Sequence, residues 1–468
     1  IVPAPQFLAD RSHAGDSPTD ALHPRLPHGS RLRLVRRVRT DARGNCRLAT
    51  SLRDVAGGHH GDAFRPPEDC FMTTLLHLRK DEERRLRTGH VWIYSNEIDI
   101  TRSPLRGLEP GQAVEVMSSR GQWLGHGYVN PNTLIAARIV SRDREHPLDR
   151  SLIVHRLNIA LALRQRLYPQ PYYRLVHGEA DGLPGLVVDR YGDVLVAQLT
   201  TAGMDRMREA VIGALDQVLR PKAVILRNDV NSRTLEGLPT GVEVAFGEAP
   251  DHLVVHEGAA RFEVPALEGQ KTGWFHDQAA NREQLTRYAQ GRTVLDVFSY
   301  AGGWGIRAAL AGATGVTAVD ASERALDWLT ANAARNGVED RVSTLRGDAF
   351  EVLRALRAEG KHFDIVVLDP PAFIKRRKDA KEGQLAYRRL HDAALTLLSR
   401  DGLLVSASCS HHFAEEDLLR TAQSAARAND RSLQCLATGH AGPDHPVHPA
   451  MPETAYLKAF FLRVLPTF

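Results

Sequence analysis

Residues 293–320 read TVLDVFSYAGGWGIRAALAGATGVTAVD. Thr293 to Phe298 is a short apolar run rich in β-branched residues, the pattern of a buried strand. It ends at a turn carrying Gly302, Gly303 and Gly305, after which Ile306 to Ala311 takes on helical character. A second apolar run, Val316 to Val319, stops at Asp320. The order is strand, glycine turn, helix, strand, acid. Such a unit lets a backbone approach a nucleotide closely and offers a carboxylate to ribose hydroxyls.

The glycine spacing decides between cofactor classes. A dinucleotide fingerprint requires G-x-G-x-x-G, whereas this turn is G-G-x-G, with Asp296 ahead of it. The acid–glycines–acid order resembles the first two motifs of the class I S-adenosylmethionine (SAM)-dependent methyltransferases. Their cofactor is an aminoacyl nucleoside with no pyrophosphate for a helix N-terminus to cradle. From this stretch alone a dinucleotide enzyme or a structural strand–turn–helix stays open.

Length and composition set the frame. A chain of 468 residues allows about three domains. With 43% hydrophobic and 25% charged residues it has the make-up of a soluble globular protein. No apolar run approaches the ~18 residues of a membrane span, and no basic-then-apolar secretory signal opens the chain. Cys46, Cys70, Cys409 and Cys435 are scattered, without disulfide or zinc spacing. The expectation is a cytoplasmic protein with no metal. Of the formal net charge of +4, residues 1–71 supply +3, from 11 Arg against 8 Asp and Glu. The overall charge is therefore weak evidence for a polyanionic partner.

Residues 1–71 lack Lys and sustained periodicity, and Met72 stands where ordered patterning begins. They read as a disordered leader or a non-native upstream extension. The alternative is a basic RNA-binding arm built on Arg31, Arg33, Arg36, Arg37 and Arg39. Residues 72–147 hold short strands near Leu75–Leu78, Gly111–Met117, Trp123–Val129 and Leu134–Val140, which predict a small barrel-like module. Arg79, Lys80, Arg84, Arg85 and Arg87 form either a phosphate-binding edge or a solvated helix face, since Asp81, Glu82 and Glu83 interleave with them.

Residues 148–268 predict a mixed α/β domain: a helix over 152–167, a hairpin turning at Tyr191-Gly192-Asp193, a helix over 204–219, and strands at 223–227, 242–246 and 260–264. His177, Glu179 and Asp181 invite a metal, but their Gly/Pro loop favours structural roles. Trp274 and Phe275 are buried staples of a domain junction or a platform for a cofactor's adenine; aromatic residues favour the first reading.

Residues 269–468 continue the strand–helix alternation. Strands at 342–345, 363–368 and 403–407 deliver Asp348, Asp369-Pro370-Pro371 and Ser408-Cys409-Ser410 at their C-terminal ends. Ser322 caps the helix that follows Asp320. The fold class is therefore α/β, with a doubly wound Rossmann-like sheet whose ligands sit at the strand ends. Asp320, Asp348, Asp369 and Cys409 all fall there.

Asp369 and Cys409 together suggest pyrimidine chemistry. C5 of a pyrimidine is a poor nucleophile until a thiolate adds at C6 and makes C5 enolate-like. An acid at N3 or at the exocyclic group then steadies the growing charge. The base must be flipped out or single-stranded. Amino-group methyltransferases place an aromatic directly after Asp/Asn-Pro-Pro; here Ala372 stands there, with Phe373 one later. Cys435 lies within an apolar run and is expected in the core.

Taken together, the chain from about Thr73 onward resembles the PUA-domain-bearing bacterial methyltransferases that modify C5 of cytosine in large-subunit (23S) ribosomal RNA. The likeness is carried by Gly89-His90-Val91-Trp92-Ile93-Tyr94, HGEADGLPGLVVDRYG, QKTGWFHDQ, DVFSYAGGWG, LDPPAFIK, SASCSHHF and the closing DHPVHPAMPETAYLKAFFLRV. The resemblance implies a PUA domain at 72–147 and a methyltransferase domain at 269–468, with SAM as cofactor and rRNA as partner. It makes Cys409 the nucleophile and Asp369 the assisting acid. It lines the cofactor site with Phe298, Tyr300, Gly302, Gly303, Asp320, Ser322, Asp348 and Asp369, and has Phe275 and Gln278 help close it. The family often has Asp-Gln-Arg where this chain has Asp277-Gln278-Ala279, so Ala279 stands in the place of that Arg; Arg282 follows one turn on.

Lys375, Arg376, Arg377, Lys378 and Lys381 form a basic run read as a flexible loop beside the site, suited to an RNA backbone. The oligomeric state is open, a homodimer included. Competing readings are a uracil-C5 RNA methyltransferase, an RNA-binding ribosome-assembly factor on a relic methyltransferase fold, and a small-molecule methyltransferase.

Overall fold

A computed structural model describes residues 74–467 together with the strands Arg39–Thr40 and Cys46–Arg47, which pair antiparallel. The expectations for the leader and its arginine arm otherwise lie outside the described residues.

The C-terminal sheet positions the site. Its strands are β1 (Thr293–Val297), β2 (Gly315–Asp320), β3 (Val342–Arg346), β4 (Phe363–Leu368), β5 (Leu398–Ser408), β6 (Arg431–His440) and β7 (Lys458–Pro466). They lie in the order β3-β2-β1-β4-β5-β7-β6. The first five are mutually parallel, and β7 runs antiparallel between β5 and β6. Strands such as β4, buried at nearly every residue, need cover on both faces, as parallel sheets do. Helices supply it: α1 (Ala279–Ala289), α2 (Gly303–Leu310), α3 (Glu323–Arg335), α4 (Ala349–Ala358), α5 (Ala380–Leu397) and α6 (Glu415–Ala428). One core layer joins Val294, Val316, Ile306 and Val405; the other joins Leu295, Leu368, Leu390 and Leu418. Chain order reverses at β1/β4, where doubly wound sheets open a ligand crevice at the strand C-termini.

Ahead of this lies a five-stranded sheet of Val242–Gly247, Ala223–Arg227, Val194–Leu199, Leu186–Tyr191 and Tyr172–His177, in that order. The hairpin His252–Glu257/Ala260–Pro265 pairs with no strand of that sheet. Its Leu253, Val255, Phe262 and Val264 instead pack into the core around β1 and α2. The N-terminal module is a mixed sheet ordered Thr74–His77, Gln112–Met117, Trp123–Val129, Ala137–Ser141, Trp92–Ile93. Its last long strand starts at Ala137 rather than Leu134, because Asn130 N–H and Ala136 C=O close a loop at 2.7 Å.

Two sequence readings change. Cys435 is exposed, not core. It lies on β6, the sheet's edge strand, beside a register irregularity between Cys435 and Ala437, so its apolar neighbours signal strand without signalling burial. The basic run is only partly loop, since Lys381 belongs to α5. Among the described residues no helix is long and apolar enough to cross a membrane.

Candidate active site

The glycine turn is built under backbone strain. Phe298 (φ +68°), Tyr300 (φ +48°) and Gly302 (φ +91°) are all left-handed, although only the last is glycine. Non-glycine residues in this region cost about 1–3 kcal/mol each and persist where surrounding bonds over-determine them. Here Phe298 and Ser299 N–H groups both bond the Val319 carbonyl, and Tyr300 N–H donates to Asp320 Oδ2 at 3.0 Å. A Cβ on Gly302 would lie 2.7 Å from Ile306 Cδ1 and 2.9 Å from Leu329 Cγ, so packing as well as φ requires glycine.

Asp320 closes β2 with both oxygens oriented, Oδ1 accepting from Ser322 N–H at 2.9 Å. Each oxygen keeps a lone pair for an incoming hydroxyl. Ser322 and Asp348 both serve as helix caps. Ser322 Oγ accepts from Ala325 N–H, and Asp348 Oδ1 accepts from Phe350 and Glu351 N–H. Asp348 Oδ2 is not used in the cap. Beneath the turn, buried Asp296 accepts from Gly305 N–H at 2.9 Å through Oδ2, while Oδ1 has no partner. Burial, with Asp369 and Asp320 adding to it, pushes its carboxyl up to about 7 against the Gly305 bond. These groups fit SAM: an oriented acid at the end of β2, a strained glycine turn beside it, and a buried acceptor still unsatisfied.

Asp369 follows β4. Gln278 Nε2 donates to its Oδ1 at 2.9 Å and Trp304 Nε1 to its Oδ2 at 3.0 Å. Burial and the Asp277 charge raise its carboxyl above the usual range, against the Trp304 bond and Arg282. Gln278, expected to close over the cofactor, is itself buried and spends its amide on Asp369 and on Asn281, whose Nδ2 donates to Gln278 Oε1 at 2.7 Å. Trp304 was not singled out by sequence reasoning, because an aromatic opening a helix ordinarily reads as core.

Cys409 follows β5, next to β4; Leu368 of β4 is in register with Ser406 of β5. The serines flanking it are both tied down. Tyr387 OH lies 2.8 Å from Ser408 Oγ and 3.2 Å from Ser410 Oγ, and Lys458 Nζ donates to the Ser410 carbonyl at 2.6 Å. Cys409 itself is half-buried. Burial pushes its thiol up, Lys271 opposes this, and Asp369 and Asp277 add to it. The fold thus brings Asp369 and Cys409 within electrostatic reach of one another. Phe298, Phe373, Tyr387 and Phe413 form a run of aromatic contacts with centroid separations of 6.5, 4.9 and 4.8 Å.

The QKTGWFHDQ segment joins the layers. Trp274 is buried, 4.5 Å from the Phe262 ring, with Nε1 donating to Glu257 at 3.2 Å. Phe275 is half-buried, edge-on to Tyr300 at 5.5 Å. Burial and wall are therefore divided between the two aromatics. Arg282 forks onto Glu257 at 2.7 and 2.5 Å, and burial of Glu257 is outweighed by Arg282 and Arg307, which keep its carboxyl low.

His177, Glu179 and Asp181 have separate partners. Burial and then Arg174 push His177 down to about 3. Glu179 accepts from Trp92 Nε1 at 2.7 Å, and Asp181 takes a fork from buried Arg164 at 2.6 and 2.7 Å. Of the N-terminal basic edge, Arg85 is committed to Glu97 at 2.7 Å and Arg84 to Asp81 at 3.3 Å.

Comparison with known proteins gives two family matches. Residues 76–142 match the PUA-like domain, and residues 237–463 match the S-adenosylmethionine-dependent methyltransferase family. The ribosomal RNA large subunit methyltransferase I of Erwinia tasmaniensis is 36% identical over 403 residues, covering 84% of this chain and 100% of that protein. Its namesake from Shewanella amazonensis is 36% identical over 399 residues, with the same coverages. The structure of the methyltransferase SMU.776 complexed with SAH superposes with a TM-score of 0.72 at 21% identity, covering 84% of this chain and 99% of that one, a likeness of fold. With the parallel sheet, the strained glycine turn and a relationship running through nearly all the described residues, the chain belongs to the ribosomal RNA large subunit methyltransferase I family and takes S-adenosylmethionine as its cofactor.

Proposed function

We propose that this protein transfers a methyl group from SAM to C5 of a cytosine in large-subunit (23S) rRNA, in the bacterial cytoplasm, through a covalent bond between Cys409 and C6. The relatives are named as large-subunit rRNA methyltransferases, and a PUA-like module precedes the catalytic domain. The observation that carries the pyrimidine-C5 reading is the exit of an acid and a thiol from adjacent parallel strands, the acid held by two donors.

Asp320, Asp348, Phe298, Tyr300 and the Gly302-Gly303 backbone would hold the cofactor, with Ser322 supporting Asp320; when bound, SAM supplies an electrophilic methyl group. The Cys409 sulfur adds to C6, and the C5=C6 electron pair shifts toward C5 and N3. Asp369, its carboxyl raised by burial, gives a proton to N3 or bonds the exocyclic group as charge collects there. C5 takes the methyl group, a base removes the C5 proton, any proton held at N3 returns to Asp369, and the electron pair returns to expel the sulfur. Residues 72–147 and 148–268 would hold the RNA. Lys375, Arg376, Arg377, Lys378 and Lys381 would meet its backbone.

The test is tritiated methyl transfer to rRNA from a strain lacking the protein, followed by nucleoside digestion. Label in 5-methylcytidine is the expected result. Label in 5-methyluridine would replace cytosine by uracil, and absence of transfer would favour an assembly factor.

A further inference from the structure

Strands β4 and β5 alternate in step between the two core layers. Ile365 and Val367 of β4, and Leu403 and Val405 of β5, lie in the layer with Trp304 and Ile306 of α2. Val366 and Leu368, and Leu404 of β5, lie in the layer with Tyr387 and Leu390 of α5. Asp369 continues the α2 side of β4, where Trp304 Nε1 donates to it at 3.0 Å. The same period of two turns Cys409 toward that side and its neighbours Ser408 and Ser410 toward α5.

The α5 side of this junction is a buried polar seam. His391 Nε2 lies 2.7 Å from Ser406 Oγ, and Tyr387 OH lies 2.8 Å from Ser408 Oγ and 3.2 Å from Ser410 Oγ. Helix residues four apart thus meet strand residues two apart, each on one face of its element. Gly383, one turn before Tyr387, lets the loop after β4 come close: a Cβ there would lie 2.9 Å from the Phe373 carbonyl oxygen. Ser410 Oγ also accepts from Ile374 N–H at 3.2 Å, so the loop of the acid and the loop of the thiol are joined at one hydroxyl that Tyr387 holds. All five seam side chains are buried. Burial raises the Tyr387 hydroxyl above the usual tyrosine range and pushes His391 down to about 4, so both are neutral. Buried hydroxyls cost free energy unless they are bonded, and apolar residues could fill this interface without that cost. What a satisfied polar seam adds is a unique register between helix and strand.

We propose that Tyr387 is a positioning residue for the nucleophile: by holding Ser408 and Ser410 against α5, its hydroxyl fixes the backbone from which Cys409 projects toward the side of Asp369. The hydroxyl moves no proton in the reaction. It sets where the sulfur stands relative to the acid, because Ser410 ties the same clamp to the loop that follows Asp369. This rests on the covalent reading above.

The experiment measures methyl transfer to rRNA by Tyr387→Phe, which removes the hydroxyl and keeps a ring between Phe373 and Phe413, at 4.9 and 4.8 Å. Its kcat should fall about 10- to 100-fold, the scale for misplacing a reacting group by up to about 1 Å, with KM for rRNA and SAH affinity within about twofold of wild type. Ser410→Ala should lose kcat similarly, and the double variant should lose no more than the larger single loss, since both cut one linkage. Ser406→Ala, farther back along the seam, is the packing control and should keep kcat within about twofold of wild type below its Tm. An undiminished kcat in Tyr387→Phe, an equal loss in Ser406→Ala, additive losses in the double variant, or a loss in KM or SAH affinity in place of kcat overturns the assignment. Cys409→Ala is assayed beside them: if it retains methyl transfer, the covalent reading fails, whereas an inactive Cys409→Ala with an undiminished Tyr387→Phe removes Tyr387 alone.

Discussion

Gln278 donates to Asp369 across 91 residues of chain, at 2.9 Å, and so ties the segment entering the catalytic domain to the loop that carries the acid. Trp304, the second residue of α2, holds the other oxygen at 3.0 Å. The acid is thereby aligned by an amide from one side of the glycine turn and an indole from the other. Removing either donor leaves a buried carboxyl less oriented. Gln278→Ala is expected to lower kcat by about 10- to 100-fold, the range for removing a hydrogen bond that orients a working group. SAH affinity, measured by calorimetry, should move less than kcat. A change confined to SAH affinity would return Gln278 to the cofactor alone.

Asp320 makes the complementary prediction. Its carboxylate is oriented by two backbone N–H groups. Asp320→Asn would exchange a charged acceptor for a neutral one, at about 1.5–3 kcal/mol for the hydrogen bonds concerned. SAH binding should weaken by roughly 10- to 100-fold, with little change in rRNA affinity. Unchanged SAH binding would remove Asp320 from the cofactor site.

Asp296 predicts a pH effect on stability. Its folded carboxyl is raised to about 7 from 3.8, chiefly by burial. A raised acid contributes stability that is complete below about pH 4 and is lost as pH rises through 7. Asp296→Asn keeps an acceptor for Gly305 N–H and has no proton to lose. Its stability relative to wild type should therefore increase between pH 4 and pH 8, by a few kcal/mol. Urea unfolding at the two pH values measures it, and a pH-independent difference contradicts the reading.

The buried fork between Arg282 and Glu257 fastens α1 to the hairpin, with Arg307 donating to the Glu257 carbonyl at 2.7 Å. Removing Arg282 leaves Glu257 with Arg307, 3.5 Å from its Oε1, and the Trp274 indole as partners, and costs about 1–3 kcal/mol. Arg282→Met should lower Tm accordingly in thermal unfolding. A loss of activity with unchanged Tm would instead mark Arg282 as a site residue.

Much of this architecture is legible in the sequence, and the reason is burial. A parallel strand covered on both faces must be an unbroken apolar run, so Phe363–Leu368 announces itself and so does the acid that follows it. Turn and cap chemistry is similarly local, as Gly302 and Ser322 illustrate. Cys435 shows where the signal fails: an edge strand is as apolar in sequence as a central one, and exposure depends on what packs over it. Trp304 fails for another reason. Its partner Asp369 is supplied by the topology, 65 residues away, and nothing local to the indole specifies that meeting. The basic run was legible as charge, but not the ion pair of Arg376 with Asp379 at 3.0 Å or the helix that takes Lys381.

That run yields a further expectation. Neutralising Lys375, Arg377, Lys378 and Lys381 together should weaken rRNA binding and flatten the plot of log affinity against log salt by about 0.7–0.9 for each phosphate that is no longer neutralised. An unchanged slope would leave the run a solvated surface.

The central claim concerns a bond between Cys409 and a cytosine. A 23S rRNA transcript carrying 5-fluorocytidine offers no C5 proton to remove after methyl transfer, so the sulfur cannot be expelled and the adduct should accumulate. With SAM present, the wild-type protein is expected to give an RNA-linked band that survives denaturing electrophoresis, and Cys409→Ala to give none. An equal band from Cys409→Ala, or no band from wild-type protein that methylates ordinary rRNA, would contradict the covalent route.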